Sequence, residues 1–112
     1  MSQGNGANLE SRCLRVQSAR VNGRHTVRLE GEMDLSVIGM VDSEMRRVEA
    51  TDAPKIVLDL DQLEFLDASG LRLLMHLNTR VQDRLRIKRG RSAQVRRMFE
   101  LTGMDEILRF AD

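Results

Sequence analysis

Between residues 55 and 77 the chain changes its hydrophobic pattern within a few positions, and few folds accommodate that change. Lys55-Ile56-Val57-Leu58-Asp59-Leu60 is an apolar run of strand length, which predicts a buried strand. Leu71-Arg72-Leu73-Leu74-Met75-His76-Leu77 predicts a buried helix. Between them, in Phe65-Leu66-Asp67-Ala68-Ser69-Gly70-Leu71, stand a carboxylate, a hydroxyl and a glycine. A strand-loop-helix turn of this kind aims unpaired backbone N–H groups outward and puts small polar residues at a helix N-terminus. That end of a helix favours negative charge and can cradle a phosphate, bound or covalently attached. The plainer reading is that Asp67 and Ser69 only cap the helix and Gly70 only relieves crowding in the turn.

A chain of 112 residues makes one domain and can bury one core without staples. Three Phe and no Trp or Tyr make that core aliphatic. The net charge of +1 supplies no field toward nucleic acid or anionic lipid. One cysteine, Cys13, excludes an internal disulfide and reads as a small packing residue. No apolar stretch reaches membrane-spanning length and no signal-peptide core is present, so the expectation is a soluble, cytoplasmic protein.

Met1 to about Glu10 is Gly, Asn, Ser and Gln with almost nothing apolar, and residues 1–11 read as a disordered tail before a single domain over 12–112. Cys13 to Gly31 predicts a β-hairpin around Asn22-Gly23, a type I′ turn signal. The turn sets Val21 opposite Arg24, Ser18 opposite Val27, Val16 opposite Leu29 and Arg15 opposite Glu30. Leu14, Val16, Val27 and Leu29 then share an inner face, with Arg15, Gln17, Thr26, Arg28 and Glu30 outside. His25 lies beside the turn, and no metal role is expected of it. Ser36 is placed to cap a first helix over about Val37 to Glu49. Ile38, Val41, Met45 and Val48 face the sheet, with Asp42, Glu44, Arg46, Arg47 and Glu49 toward water. Pro54 stops that helix.

A second helix runs from about Ser69 or Gly70 to Gln82. Apolar residues almost encircle it, leaving Arg72, His76, Arg80 and Asp83 as a polar stripe. Arg84 to Arg89 alternates as a strand, Leu85 and Ile87 inward and Arg84, Arg86 and Lys88 outward. Ser92 caps a third helix with Val95, Met98, Phe99 and Thr102 inward, and Gly103 stops it. Ile107 to Phe110 closes the chain as a packing segment. The whole predicts an α/β domain: a small mixed sheet, an N-terminal hairpin and three to four helices.

Neither standard phosphate-binding glycine loop is present, no His/Cys group has zinc spacing, and no catalytic triad is indicated, so neither an enzyme nor a cofactor or metal is expected. Between Arg84 and Arg97 there are seven basic residues and no acidic one. Without aromatic residues for stacking, this run reads as a solvated strand face and helix start rather than a nucleic-acid patch; a third use is docking an acidic surface.

Three stretches resemble one family. Leu63-x-Phe65-Leu66-Asp67-Ala68-Ser69-Gly70-Leu71 is similar to the signature of STAS domains, the sulphate transporter and anti-sigma factor antagonist family. Gly31-Glu32-Met33-Asp34-Leu35 resembles its Gly-Glu-Leu-Asp element, and Val95 to Met104 its C-terminal helix and turn. The resemblance covers roughly residues 12 to 110, and points in particular to the small free-standing bacterial antagonists. It implies the STAS arrangement of sheet and helices. It also implies a partner, an anti-sigma factor that is a serine kinase, whose capture releases a sigma factor; phosphorylation of a loop serine ends the capture and a phosphatase restores it.

Carried over, Asp34, Asp67, Ala68, Ser69, Gly70, Leu71 and Arg72 form the regulatory and docking loop, with helix two and the start of helix one around it. The chain departs from the family at one position. The acceptor there directly follows the Asp, and here that residue is Ala68, without a hydroxyl. Either Ser69 is the acceptor or the switch is absent, and the sequence leans to the second. The alternatives carried beside this reading are a STAS subunit of an ABC-type transport or stress-signalling assembly, and a nucleotide-binding module. No nucleic acid and no membrane insertion are expected, and the chain is expected as a monomer or weak homodimer.

Overall fold

The computed structural model describes residues 6–111. The strands are β1 (Ala7–Glu10), β2 (Leu14–Val21), β3 (Arg24–Met33), β4 (Lys55–Leu66) and β5 (Leu85–Lys88). The helices are α1 (Ile38–Glu49), α2 (Ala68–Val81) and α3 (Ala93–Thr102), with short 3-10 turns at Leu35–Val37, Gln82–Arg84 and Met104–Glu106. One sheet runs in the order β1-β2-β3-β4-β5. β1 to β3 pair antiparallel; β4 and β5 join in parallel. The mixed sheet, the hairpin and the three helices are those expected.

Asn22 and Gly23 both have positive φ, 55° and 80°, which is the type I′ geometry. The register this turn imposes is the one read from sequence: Val21 opposite Arg24, Ser18 opposite Val27, Val16 opposite Leu29, Arg15 opposite Glu30. Leu14, Val16, Val27 and Leu29 are all buried. They join Ile56, Leu58, Leu60, Leu85 and Ile87 in one core under the helices. Among the described residues the other sheet face carries no helix. The molecule measures 42 × 31 × 21 Å, thin along one axis as two layers require.

Several expectations need correction. Residues 7–10, read as part of a tail, form β1 on the outer edge of β2, with Ala7 opposite Ser18 and Glu10 opposite Arg15. Three of the four are exposed, so the strand is held by backbone pairing and shows no apolar alternation. Residues 1–5 lie outside the described residues.

β4 runs six residues past Leu60. Two bulges explain why its second half is hard to read. Arg28 to Glu30 on β3 spans Asp59 to Gln62 on β4, and Gly31 to Glu32 spans Leu63 to Phe65. Each extra residue on β4 flips the side-chain parity. The inward set therefore runs Ile56, Leu58, Leu60, Leu63, Leu66, and the simple alternation disappears.

Ser36 does not cap α1: Asp34 caps the 3-10 turn Leu35–Val37 that leads into it, and Val37, at the N-cap of α1, makes no side-chain cap. Glu44, read as solvent-facing, is 4% exposed. Its carboxylate accepts from Ser18 Oγ at 2.7 Å and from Arg47 Nη2 at 2.6 Å. Burial pushes the Glu44 carboxyl up, but the hydrogen bonds from Arg47 and Ser18 outweigh it and hold the carboxyl below its ordinary value. His25, also inward, is fully buried and adds its field in the same direction.

α2 is less enclosed than its composition implies. Arg72, Met75, His76 and Thr79 are exposed. Ser92 and Gly103 bound α3 as expected, with Ser92 Oγ accepting from Val95 N and Gly103 at φ 77°. Thr102, expected inward, is exposed, whereas Met104 and Leu108 are buried. The C-terminal segment covers the outer edge of β5: Ile87 N donates to Arg109 O and Ala111 N donates to Ile87 O.

Three residues of the basic run between Arg84 and Arg97 are tied down by the fold. Arg84 is folded back, its guanidinium donating to the carbonyls of Glu49, Thr51 and Ala53 after α1. Arg89 pairs with Asp105 and lies 3.8 Å over the Phe110 ring, and Arg96 donates to Gly90 O.

Candidate functional site

β3 and β4 are parallel neighbours, and Met33 pairs with Leu66 at their shared C-terminal end. The residues that follow, Asp34 and Asp67, therefore leave the sheet side by side. In open α/β sheets this edge, beyond the carboxyl ends of parallel strands, is where partners and ligands are met. Asp67 N donates to Met33 O at 3.2 Å and ties the two loops together.

Each aspartate caps the helix that follows it. Asp34 Oδ1 accepts from Ser36 N at 2.9 Å and from Ser36 Oγ at 2.6 Å. Asp67 Oδ1 accepts from Gly70 N at 3.0 Å. The capping reading of Asp67 thus holds, and it accounts for only part of the loop, because Ser69 has no cap to make.

Two glycines make this geometry attainable. Gly31 has φ 115°, and a Cβ there would overlap Cys13 O. It sits at the second bulge and aims Met33 and Asp34 at the end of β4. Gly70 lies on the sheet end, where a Cβ would overlap Leu66 Cδ1 and stand 3.1 Å from Met33 O. Only a bare backbone lets the first turn of α2 approach β3 this closely.

Of the expected site residues, Asp34 and Asp67 are half-buried, Ala68 and Arg72 are exposed, and Gly70 and Leu71 are buried. Leu71 packs into the core. Ala68 points outward. Ser69 is half-buried and lines a groove of about 240 Å³ between α1 and α2. Its hydroxyl makes no hydrogen bond with another described residue. Ser69, Leu73, His76 and Arg80 follow helical spacing along one wall, and Leu35, Ile38, Asp42 and Arg46 form the other.

Arg80 closes the far end, its Nη2 at 2.9 Å from Asp42 and 2.7 Å from Glu49. Burial raises the Asp42 carboxyl, but hydrogen bonds from Arg80 and Arg46 prevail and hold it below its ordinary value. At the Ser69 end, Arg72 and His76 have no carboxylate partner among the described residues. Exposed Leu35, Phe65 and Met75 are the large apolar side chains on these elements. The site thus offers a hydroxyl at the mouth of a helix-lined groove, two loop carboxylates held by capping, and exposed apolar contacts.

One positioning residue was missed in the sequence. Gln94, on the first turn of α3, uses its amide as a peptide would: Leu66 N donates to Oε1 and Nε2 donates to Leu66 O, both at 2.9 Å. Ser92 Oγ donates to Glu64 O beside it. β5 ends at Lys88, opposite Asp59, so Gln94 and Ser92 hold the unpaired end of β4 that delivers Asp67. A lone glutamine after a helix cap carries no sequence signal for this.

Among the described residues no group of three or more metal-ligating side chains stands together, and no helix is long and apolar enough to cross a membrane.

A one-sided mixed sheet with two capped loops at the end of its central parallel strands defines a small α/β domain of the STAS kind. The family described as "Mlab, STAS domain" matches residues 16–109, and the chain belongs to it. Solved structures agree in fold. An anti-sigma factor antagonist from Mycobacterium paratuberculosis superposes with a TM-score of 0.80 at 23% identity, over 93% of this chain and 92% of that one. The anti-sigma factor antagonist SpoIIAA in its unphosphorylated form gives 0.69 at 20%, over 87% and 88%. An antisigma-factor antagonist STAS domain from Rhodobacter sphaeroides gives 0.59 at 14%, over 70% and 88%.

Proposed function

We propose that this protein is an anti-sigma factor antagonist: a non-catalytic domain that captures an anti-sigma factor of the serine-kinase type and so frees a sigma factor. The capturing surface is the β3/β4 end and the α1–α2 groove, with Asp34, Asp67, Ala68, Ser69 and Arg72 at its centre. The observation that carries the reading is the placement of Ser69. Its hydroxyl is uncommitted, stands at the mouth of the groove, and belongs to the first turn of α2. A phosphoryl group transferred there from ATP gains the field of the helix N-terminus and the nearby Arg72 cation, so the fold tolerates it. A partner packed on the same surface meets added bulk and about −1.5 to −2 charges, and is expelled. Ser69 is therefore the proposed acceptor in place of Ala68.

The test is affinity capture with the full chain in its native host, reading bound proteins and the intact mass of the bait by mass spectrometry. The expected result is a small ATP-binding kinase in the eluate and a bait fraction one phosphate heavier, with the modification on Ser69. The kinase without the phosphate leaves the antagonist and removes the switch. A transporter ATPase or a very large assembly in its place overturns the function and leaves the fold standing.

A further inference from the structure

The face of the sheet opposite the helices carries a second, differently charged surface. On its central strands the outward side chains form a lattice set by the register. Arg24 stands beside Lys55, Thr26 beside Val57, and Arg28 beside Asp59, which in turn neighbours Lys88. Adjacent strands lie about 4.8 Å apart and alternate residues about 7 Å apart along a strand. Arg24, Lys55, Arg28 and Lys88 stand around a low floor of Thr26 and Val57, with Arg86 beside Val57 on β5, its guanidinium turned to the carbonyls of Asp83 and Leu85. A groove of about 550 Å³ follows this floor, and a second of about 260 Å³ adjoins it, sharing Thr26 and Arg28.

Two features separate this surface from an ordinary solvated sheet face. Asp59 is 4% exposed although no helix covers it. Its Oδ1 accepts from Asp61 N at 2.9 Å and its Oδ2 faces Arg28 Nε at 3.5 Å, so it holds Arg28 across the floor. Meanwhile Arg24 and Lys55 have no carboxylate partner among the described residues. Among the described residues the face therefore leaves Arg24 and Lys55 without a carboxylate at one end and holds Arg28 and Lys88 beside Asp59 and Asp61 at the other.

We infer that this face is a docking surface for an acidic segment of another protein, independent of the α1–α2 groove. Charge complementarity decides the occupant. Asp59 and Asp61 stand among the cations, which penalises a continuous phosphate backbone. Lys88 is already paired with Asp61 at 3.0 Å and Arg28 faces Asp59, so separate carboxylates on a peptide seat on Arg24 and Lys55 and share Arg28 and Lys88 with the two acids. The methylene stems of glutamates suit the Val57 floor. The face has no aromatic ring on which a base would stack. The sequence's basic run contributes Arg86 and Lys88 to this face; Arg24, Arg28 and Lys55 come from β3 and β4.

The test is a titration of the full chain at low salt, read by backbone amide shifts, with decaglutamate and, separately, a single-stranded oligothymidylate. Decaglutamate is expected to move the amides of Arg24, Thr26, Arg28, Val57 and Lys88 and to leave those of Ser69 to Arg72 unmoved. The double variant Arg24→Glu/Lys55→Glu weakens it by about tenfold, as two reversed contacts imply. Lys55→Glu alone, which breaks no ion pair among the described residues, weakens it by about threefold. Arg97→Glu, a cation on α3 away from this face, leaves it within about twofold. Absence of shifts here, equal weakening by Arg97→Glu, or tighter binding of oligothymidylate overturns the inference.

Discussion

Gly70 is held where no side chain fits, and that fixes the price of changing it. Alanine gains about 1 kcal/mol of helix propensity over glycine. Against this, the added methyl overlaps Leu66 Cδ1 and presses on the backbone oxygen of Met33. Leu66 is fully buried and has nowhere to swing. Overpacking against a buried side chain and a backbone oxygen falls in the upper part of the usual range, about 2–3 kcal/mol, so Gly70→Ala is expected to be destabilising by roughly 1–2 kcal/mol net in urea denaturation. A variant as stable as the parent would show that α2 is free to shift off the sheet. Glu44 offers a second residue-scale prediction. Its native carboxyl lies below the ordinary value because of Arg47 and Ser18, burial notwithstanding. The unfolded state therefore binds more protons as pH falls through the ordinary glutamate range. The stabilisation is complete above that range and is lost as pH drops through the native value. Glu44→Gln is expected to cost about 1–2 kcal/mol near neutrality, because half-exposed Arg47 is screened by solvent, and to flatten the loss of stability toward acid. Denaturation midpoints at a series of pH values check both.

At the scale of elements, what was legible depended on whether a local signal and a hydrophobic period agreed. Asn22-Gly23 and the alternation around it gave the hairpin to the residue, since the turn type dictates the pairing. The second half of β4 was lost because two bulges convert an alternation of two into steps of three. β1 was lost because an exposed edge strand buries no face. Glu44 was misplaced because its partner Ser18 sits 26 residues away on another element. For the site, both aspartates and the loop were legible from their motif; the groove was not, since its walls come from two helices. Gln94 shows what such long-range support does. Gln94→Ala leaves Leu66 N and O without the side-chain amide that now satisfies both. The expected cost is about 1–3 kcal/mol, and the Leu66 amide is expected to exchange with solvent faster than those of Ile56 and Leu58. Gln94→Glu does not rescue it, because a carboxylate accepts from Leu66 N but faces Leu66 O with a second acceptor. Unchanged exchange at Leu66 would mean that β4 holds its end without α3.

For the whole molecule, the two-layer build separates stability from recognition and makes the proposed switch testable. The core lies between sheet and helices, while Ser69 and Ala68 both stand at the edge of that sandwich on the first turn of α2. A glutamate at either position meets the helix N-terminus, worth about 0.3–1 kcal/mol in favour of the fold. Ser69→Glu and Ala68→Glu are therefore both expected to be as stable as the parent or slightly more so. Their effects on partner binding differ, because Ser69 lines the α1–α2 groove and exposed Ala68 does not. If the captured anti-sigma factor packs into the groove, Ser69→Glu weakens it by at least about tenfold, an uncompensated charge at a buried contact costing more than 1.4 kcal/mol. Ala68→Glu, left at the wet rim, weakens it by no more than about threefold. Titration calorimetry with the purified partner distinguishes the cases. The reverse order, with Ala68→Glu the more damaging, would place the contact on the outer lip of the loop and remove the argument for Ser69 as acceptor. Equal, small effects would move the partner off this edge altogether, while the cationic face of the sheet would remain a separate question with its own ligand.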